Sequence, residues 1–395
     1  MITLSAADVL PVDVAQATLI GRAFVPEHQG PSVVAIRGDG VFDVSMSFPT
    51  VRDLFELEEP DRAVASVSGK RLGSVEQLLR NTPRKVRDVQ QPWLLAPIDL
   101  QAVKAAGVTF AASLLERFIE EQARGEPSRA ADIRRDLNKQ LGIDITAIKP
   151  GSAEAEQAKA VLTKRGQWSQ YLEVGLGPDA EIFTKAQPLS SVGIGAQVGI
   201  LSSSKWSNPE PEVVLVVNSK GAVVGATLGN DVNLRDVEGR SALLLGRAKD
   251  NNASAAIGPF IRVFDAHFGI DEVRNAVVSL VVEGRDGFRM AGESAMSKIS
   301  RDPLDIVGQA IGPHHQYPDG FVLFLGTMFA PTDDRTEKGM GFTHHRGDVV
   351  TVHTPKLGTL SNEVVHCEEA EPWSFGLSDL FHNLARRGLF AARTR

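Results

Sequence analysis

Apolar positions recur with two periods along this chain. Between about residues 180 and 366 they form short runs: "VGIGAQVGIL", "EVVLVV", "AVVGATLG", "AVVSLVVEG", "GFVLFLGTMF" and "DVVTVHT". These are apolar or alternating, and Gly, Asn and Asp separate them. Such runs predict strands and leave few places for long helices. Residues 1 to about 92 carry shorter β-rich runs, "ATLIGRAF", "SVVAIRG" and "GVFDVSMSF", broken by "PEHQG" and "GDG" turn chemistry. The helical period appears within Lys104–Gly125, where Leu114, Leu115, Phe118 and Ile119 share a face. It returns in "SRAADIRRDLNKQLG", in "GSAEAEQAKAVLTKRG" with Ser152 as its cap, and in "LSDLFHNLARRGLF", which closes on Arg386-Arg387-Gly388. The polar, proline-bounded stretch "TPRKVRDVQQPW", residues 82–93, predicts a crossing between two domains. They are a small N-terminal β-rich domain (1–92) and a larger one (93–395). The fold class expected is α+β, β-rich.

Composition narrows the function classes. The chain has 395 residues, 43% of them hydrophobic, and a net charge of −7. With no long basic run, nucleic acid is not an expected partner. Nothing approaches about 18 consecutive apolar residues, and the first residues lack a signal-peptide pattern, so no membrane span is expected. A single cysteine, Cys367, excludes an internal disulfide, and inertness is the default expected of it. The expected setting is cytoplasmic.

The stretch "SNPEPEVVLVVNSKG", residues 207–221, stands out. Glu210 and Glu212 are two apart, so in a strand both carboxylates face one way, at the mouth of a run apolar at every position. If the strand merely begins there, both side chains reach water. If they are buried, two like charges need a cation, and oxygen-only ligands suit Mg²⁺, Mn²⁺ or Ca²⁺. A second apolar run ends in Gly229-Asn230-Asp231, which offers a third carboxylate. Lys249 follows in a segment short of charge.

Taken together, "PEPEVVLVV…GATLGNDVNLRD…AKDNNASAAIGP" resembles the metal site of the fumarylacetoacetate hydrolase superfamily. The likeness runs from "LLAPIDLQAVKAAGVTF" to "HRGDVVTVHTPKLGTLSNEV", over roughly residues 93–366. "WSQYLEVGLGPDAEIFTKAQPLSSVG" and "SKISRDPLDIVGQAIGPHHQYPDGFVLFLGTMFAP" resemble its sugar-acid dehydratases, which act on 2-keto-3-deoxypentonates. The resemblance implies a mixed β-roll with a smaller N-terminal domain, a homodimer or homotetramer, and Mg²⁺ on Glu210, Glu212 and Asp231. It places Lys249 and Glu181 as catalytic groups, with Lys185 and Thr327 in the same pocket, although Met328 replaces the family's proline. Ser294 and Arg301, in the polar segment "GESAMSKISRD" ahead of an apolar run, are expected to contact substrate.

One departure separates chemistries within the family. Its C–C hydrolases carry a histidine that activates water, and Ser113 stands in that place here. The reading that follows is dehydration of a 2-keto-3-deoxy-D-pentonate to 2-ketoglutarate semialdehyde (2,5-dioxopentanoate). A proton leaves carbon 3, the metal stabilises the enolate, and the carbon 4 hydroxyl departs. The alternatives are an acylpyruvate-type hydrolase or decarboxylase, and a non-catalytic protein that binds a metal or ligand. His314-His315 and His344-His345 are adjacent pairs whose rings diverge, and so are expected to be loop residues rather than ligands. Gly193, Gly195 and Gly199 lack the strand-turn-helix context of a dinucleotide loop.

Overall fold

The computed structural model describes residues 2, 4–130, 132–133, 148–331, 333–336 and 340–390. The helix expected at 128–142 lies for the most part outside the described residues. In chain order the strands are β1 (Leu19–Val25), β2 (Gly30–Arg37), β3 (Gly40–Asp43), β4 (Lys70–Ser74), β5 (Trp93–Leu95), β6 (Ala102–Gly107), β7 (Glu181–Ala186), β8 (Gln197–Ile200) and β9 (Ser207–Asn208). Next come β10 (Pro211–Val217), β11 (Val223–Asp231), β12 (Asn233–Leu234), β13 (Ala255–Val263), β14 (Val277–Glu283), β15 (Arg289–Ala295), β16 (Phe321–Phe324), β17 (Val349–Thr354) and β18 (Gly358–His366).

An eleven-stranded sheet runs β4-β3-β2-β1-β13-β11-β10-β16-β6-β7, with β5 paired to β1. A five-stranded sheet runs β15-β14-β17-β18-β8. The strands before residue 92 continue the large sheet, since β1 pairs with β13 at Leu19↔Arg262 and Ile20↔Ile261. The unbroken apolar run of β10 follows from its place in mid-sheet. Val213, Leu215 and Val217 share a core with Leu280, Val282 and Val350 of the smaller sheet. Val214 and Val216 share another with Val51, Leu54 and Phe55, beyond the opposite face. Both sides of the strand are therefore dry.

Helices add to the expected pattern. Ala111–Ala123 is helical, whereas the preceding 102–107 form β6 rather than a longer helix. Phe118 and Ile119 pack with Leu162 and Leu172 of helices Ala153–Lys164 and Gln170–Leu176. Ser152 caps the first of these by accepting from Ala155 N–H at 3.2 Å. Leu377–Arg386 forms the final helix, with Gly388 following at φ 69°. Among the described residues, no helix is long and apolar enough to cross a membrane.

Candidate metal centre

Strands β10 and β11 build the site by register. Pro211 pairs with Asn230 and Glu212 with Gly229, and the ladder closes beyond β10 where Asp231 N–H donates to Glu210 O at 3.0 Å. Glu210, Glu212 and Asp231 thus leave the ladder on one face. One oxygen of each lies within 4.8 Å of the others, and all three residues are buried. Their burial excludes the reading in which the glutamates merely reach water.

Basic groups meet two of the three. Lys249 Nζ lies 2.5 Å from Glu210 and 3.0 Å from Asp231, and Lys185 Nζ lies 2.8 Å from Asp231. Arg117, from helix Ala111–Ala123, pairs with the other oxygen of Glu210. Glu212 differs. It accepts from Gly326 N–H at 2.6 Å and, among the described residues, has no ion-pair partner. Burial first, then the Asp231 and Glu210 charges, push its carboxyl well above the usual range. Burial also acts to raise Asp231, but Lys185 and Lys249 outweigh it and leave that carboxyl lowered.

The surroundings are rich in acid. Among the described residues, seven carboxylates line the pocket, from Glu116, Glu120, Glu181, Glu210, Glu212, Asp231 and Glu238. The basic side chains of the lining are Arg117, Arg235 and Lys249, with Lys185 behind. Arg117 spans Glu120 at 2.7 Å and Glu238 at 3.0 Å. Arg235 reaches Glu120 at 2.6 Å and Glu116 at 3.3 Å. A buried carboxylate triad with one uncompensated member, set among further acids, matches the donor set of a hard divalent cation, so the residues fit Mg²⁺.

Glu181 opens β7 opposite Gly107 of β6. A Cβ at position 107 would stand 2.0 Å from Glu181 Oε2, so the glycine makes room for this carboxyl. Burial, then the Glu238 charge, raise Glu181 to about 7. Burial opposes the charge on Lys249, yet Asp231 and Glu210 prevail and hold it raised. Thr327 lines the pocket beside Gly326.

The other expected residues stand elsewhere. Lys185 is fully buried behind Asp231 and donates to Val232 O at 3.0 Å and Lys249 O at 2.6 Å, so it braces the site from outside the lining. Ser294 does not line the pocket either. Its hydroxyl accepts from Met328 N–H at 3.0 Å and so supports the turn that carries Thr327. Arg301 is spent on backbone carbonyls, Val174 O at 3.0 Å and Gly177 O at 2.6 Å, at the end of helix Gln170–Leu176. Polarity ahead of an apolar run marked these two residues but carried no information on which wall they face. Arg117, Glu120, Arg235 and Glu238 were not singled out from sequence. The charges Glu116, Arg117 and Glu120, set between the apolar positions Leu114, Leu115, Phe118 and Ile119 of the 111–123 helix, are the signal that was there to read.

Residues 173–365 match the family model described as Fumarylacetoacetate (FAA) hydrolase C-terminal. The chain is 27% identical over 268 residues to a probable 2-keto-3-deoxyxylonate dehydratase of Haloferax volcanii, covering 68% of this chain and 73% of that one. It is 32% identical over 189 residues to a 2-dehydro-3-deoxy-D-arabinonate dehydratase of Saccharolobus solfataricus. That match covers 47% of this chain and spans only 58% of the relative's length. A solved 2-keto-3-deoxy-D-arabinonate dehydratase, complexed with magnesium and 2,5-dioxopentanoate, shares the fold. Its TM-score is 0.60 at 21% identity, covering 88% of this chain and 99% of that one. The α+β architecture is thus that of its fold neighbours, and the stretch that matches the fumarylacetoacetate hydrolase C-terminal model, residues 173–365, holds all three carboxylates.

Proposed function

We propose that the chain is a Mg²⁺-dependent hydro-lyase that converts a 2-keto-3-deoxy-D-pentonate to 2,5-dioxopentanoate. The observation that carries this reading is a buried carboxylate triad flanked by Glu181 and Lys249, in a pocket whose described lining has no histidine. Ser113 is in that lining, and its hydroxyl donates to Phe110 O at 2.9 Å. It supplies no base for water attack, which disfavours the hydrolase alternative. The names of the two dehydratase relatives point the same way.

Glu210, Glu212 and Asp231 would hold the cation, Mg²⁺ by preference, with Mn²⁺ or Ca²⁺ as substitutes. Such an ion supplies Lewis acidity for the carboxylate and keto oxygens of a 2-keto acid. Glu181, near 7, exists in both protonation states around neutrality, so it can take the carbon 3 proton and protonate the departing carbon 4 hydroxyl. The proton and hydroxide leave together as water, and the enone so formed tautomerises through carbon 5 to 2,5-dioxopentanoate. Lys249, held charged, donates to substrate oxygen and keeps Glu210 and Asp231 in place. Thr327 contributes a hydroxyl at the pocket wall. The same reading includes a catalytic unit at 93–395, with residues 1–92 as the smaller domain, assembled as a homodimer or homotetramer in the cytoplasm.

The test is incubation of the purified protein with each carbon 4 epimer of 2-keto-3-deoxypentonate, in Mg²⁺ and in EDTA. We expect 2,5-dioxopentanoate in Mg²⁺ only. Pyruvate plus glycolaldehyde, or no product with either epimer, contradicts the assignment.

A further inference from the structure

A second cavity, of about 330 Å³, lies apart from the carboxylate centre. The β1–β5 ladder forms one wall, with Arg22 against Leu95 and Phe24 against Trp93. Residues two apart on a strand share a face, and all four of these line the cavity. The rest of the lining includes Leu189 to Gly193, Asn252, Ala253 and the segment Glu371 to Phe375. Leu189 and Ala253 have left-handed backbones, φ 67° and 60°, a conformation costly for residues with a Cβ and frequent where a wall serves a ligand.

Arg22 is the decisive residue. It is 5% exposed, and both of its hydrogen bonds leave from Nη1, to Ala96 O at 3.4 Å and to Ile98 O. Among the described residues, Nη2 and Nε have no hydrogen-bond partner, and no carboxylate forms an ion pair with the guanidinium. Asp99 acts on it from farther off, but that carboxylate is committed to Val51 N–H at 2.6 Å and Leu100 N–H at 2.7 Å. A buried charge is normally paired, and here the counter-charge is missing from the protein. Arg84 and Arg87 add positive charge to the same lining against a single acid, Glu371.

Flat apolar surface stands beside this charge. Phe24 and Trp93 stack at 4.2 Å with their planes 12° apart, and the Arg87 guanidinium covers Trp93 at 4.7 Å. Trp373, 48% exposed, adds a second indole. We propose that this cavity binds a small organic anion with a planar apolar body, its charged group on Arg22 and its ring against Trp373, beside the edge of the Phe24–Trp93 stack. The volume falls in the range of small-molecule sites.

The probe is 1-anilinonaphthalene-8-sulfonate, a planar sulfonate, titrated into the full chain and followed by energy transfer from tryptophan. Equilibrium dialysis gives the stoichiometry. We expect one saturable site per chain, and binding weakened at least tenfold in both Arg22→Gln and Trp373→Ala. The uncharged N-phenyl-1-naphthylamine should also bind at least tenfold more weakly than the sulfonate. Trp373 is partly exposed, so its variant keeps the test decisive if Arg22→Gln does not fold. Equal binding of the neutral amine, or Trp373→Ala within twofold of wild type, overturns the proposal. Dye uptake that dissociates an oligomer overturns it too, assigning the cavity to a contact between copies of the chain.

Discussion

Two clusters of buried charge flank the short strand β9, and they are built from similar parts. On one side Asn208 faces the carboxylate centre. On the other, Ser207 O accepts from His344 N–H at 3.2 Å, next to Arg335, Asp348 and Asp286. In the second cluster each carboxylate has a basic partner. Arg335 lies 2.7 Å from Asp348 and 3.2 Å from Asp286, while its guanidinium covers Phe288 at 4.5 Å. Burial works against the Asp348 charge, but His344 and Arg335 outweigh it and pull this carboxyl down to about 2. Glu212 in the first cluster moves the opposite way, pushed up by burial and by its acidic neighbours. A cluster in which every buried carboxylate has a basic partner is structural, whereas one with an unpartnered buried acid requires something from outside.

The largest expected contrast comes from removing one acid on each side. Glu212→Gln should cost about three orders of magnitude in dehydration rate, because a metal ligand is lost. The same change should leave the metal-free fold as stable as wild type or more so. Asp348→Asn should do the reverse, leaving Mg²⁺ affinity within about twofold and costing about 3–5 kcal/mol of stability, since Arg335 loses its bidentate partner. Urea unfolding in EDTA, alongside steady-state rates in Mg²⁺, separates the two. Equal destabilisation by both variants would erase the distinction.

Next in size is Glu181→Gln, for which we expect a loss in kcat of about 10²–10⁴ and loss of the pH-rate limb near 7. An unchanged pH profile would remove Glu181 from proton transfer. A smaller effect, about 10² in kcat, is expected for Gly107→Ala, whose methyl would displace the Glu181 carboxyl from its present position. The smallest concerns acid stability. Asp348 is lowered in the folded protein, so its contribution is complete above about pH 4 and lost as pH falls toward about 2. Asp348→Asn should flatten that part of the stability curve, as read by urea midpoints at a series of pH values.

Much of the site was legible because strands write it plainly. Glu-x-Glu at the head of β10, Asp231 at the end of β11 and Glu181 at the start of β7 lie where period-two patterning puts them. Lys249 was legible from motif alone, since helix Leu245–Lys249 is a single short turn. The bracing residues were not. Arg117 and Arg235 matter because helix Ala111–Ala123 brings Arg117 to Glu210 and Glu120 to Arg235, and no local pattern encodes that approach. For the fold, apolar runs announced the strands but not their partners. The β1–β13 pairing joins segments distant in sequence, and nothing in "ATLIGRAF" identifies its neighbour. Arg301 shows the same gap, with a polar residue read toward the pocket and found fastening a helix end.

Thermal unfolding of wild type and Glu212→Gln, each in EDTA and in saturating Mg²⁺, tests the central claim most directly. At about 100-fold excess over Kd, a bound ion adds about 2.7 kcal/mol, so the wild-type Tm should rise by about 3 °C. The variant should not respond, and in EDTA it should melt no lower than wild type. A wild-type Tm indifferent to Mg²⁺, or a variant that melts clearly lower in EDTA, would show that the carboxylate excess is not a cation site.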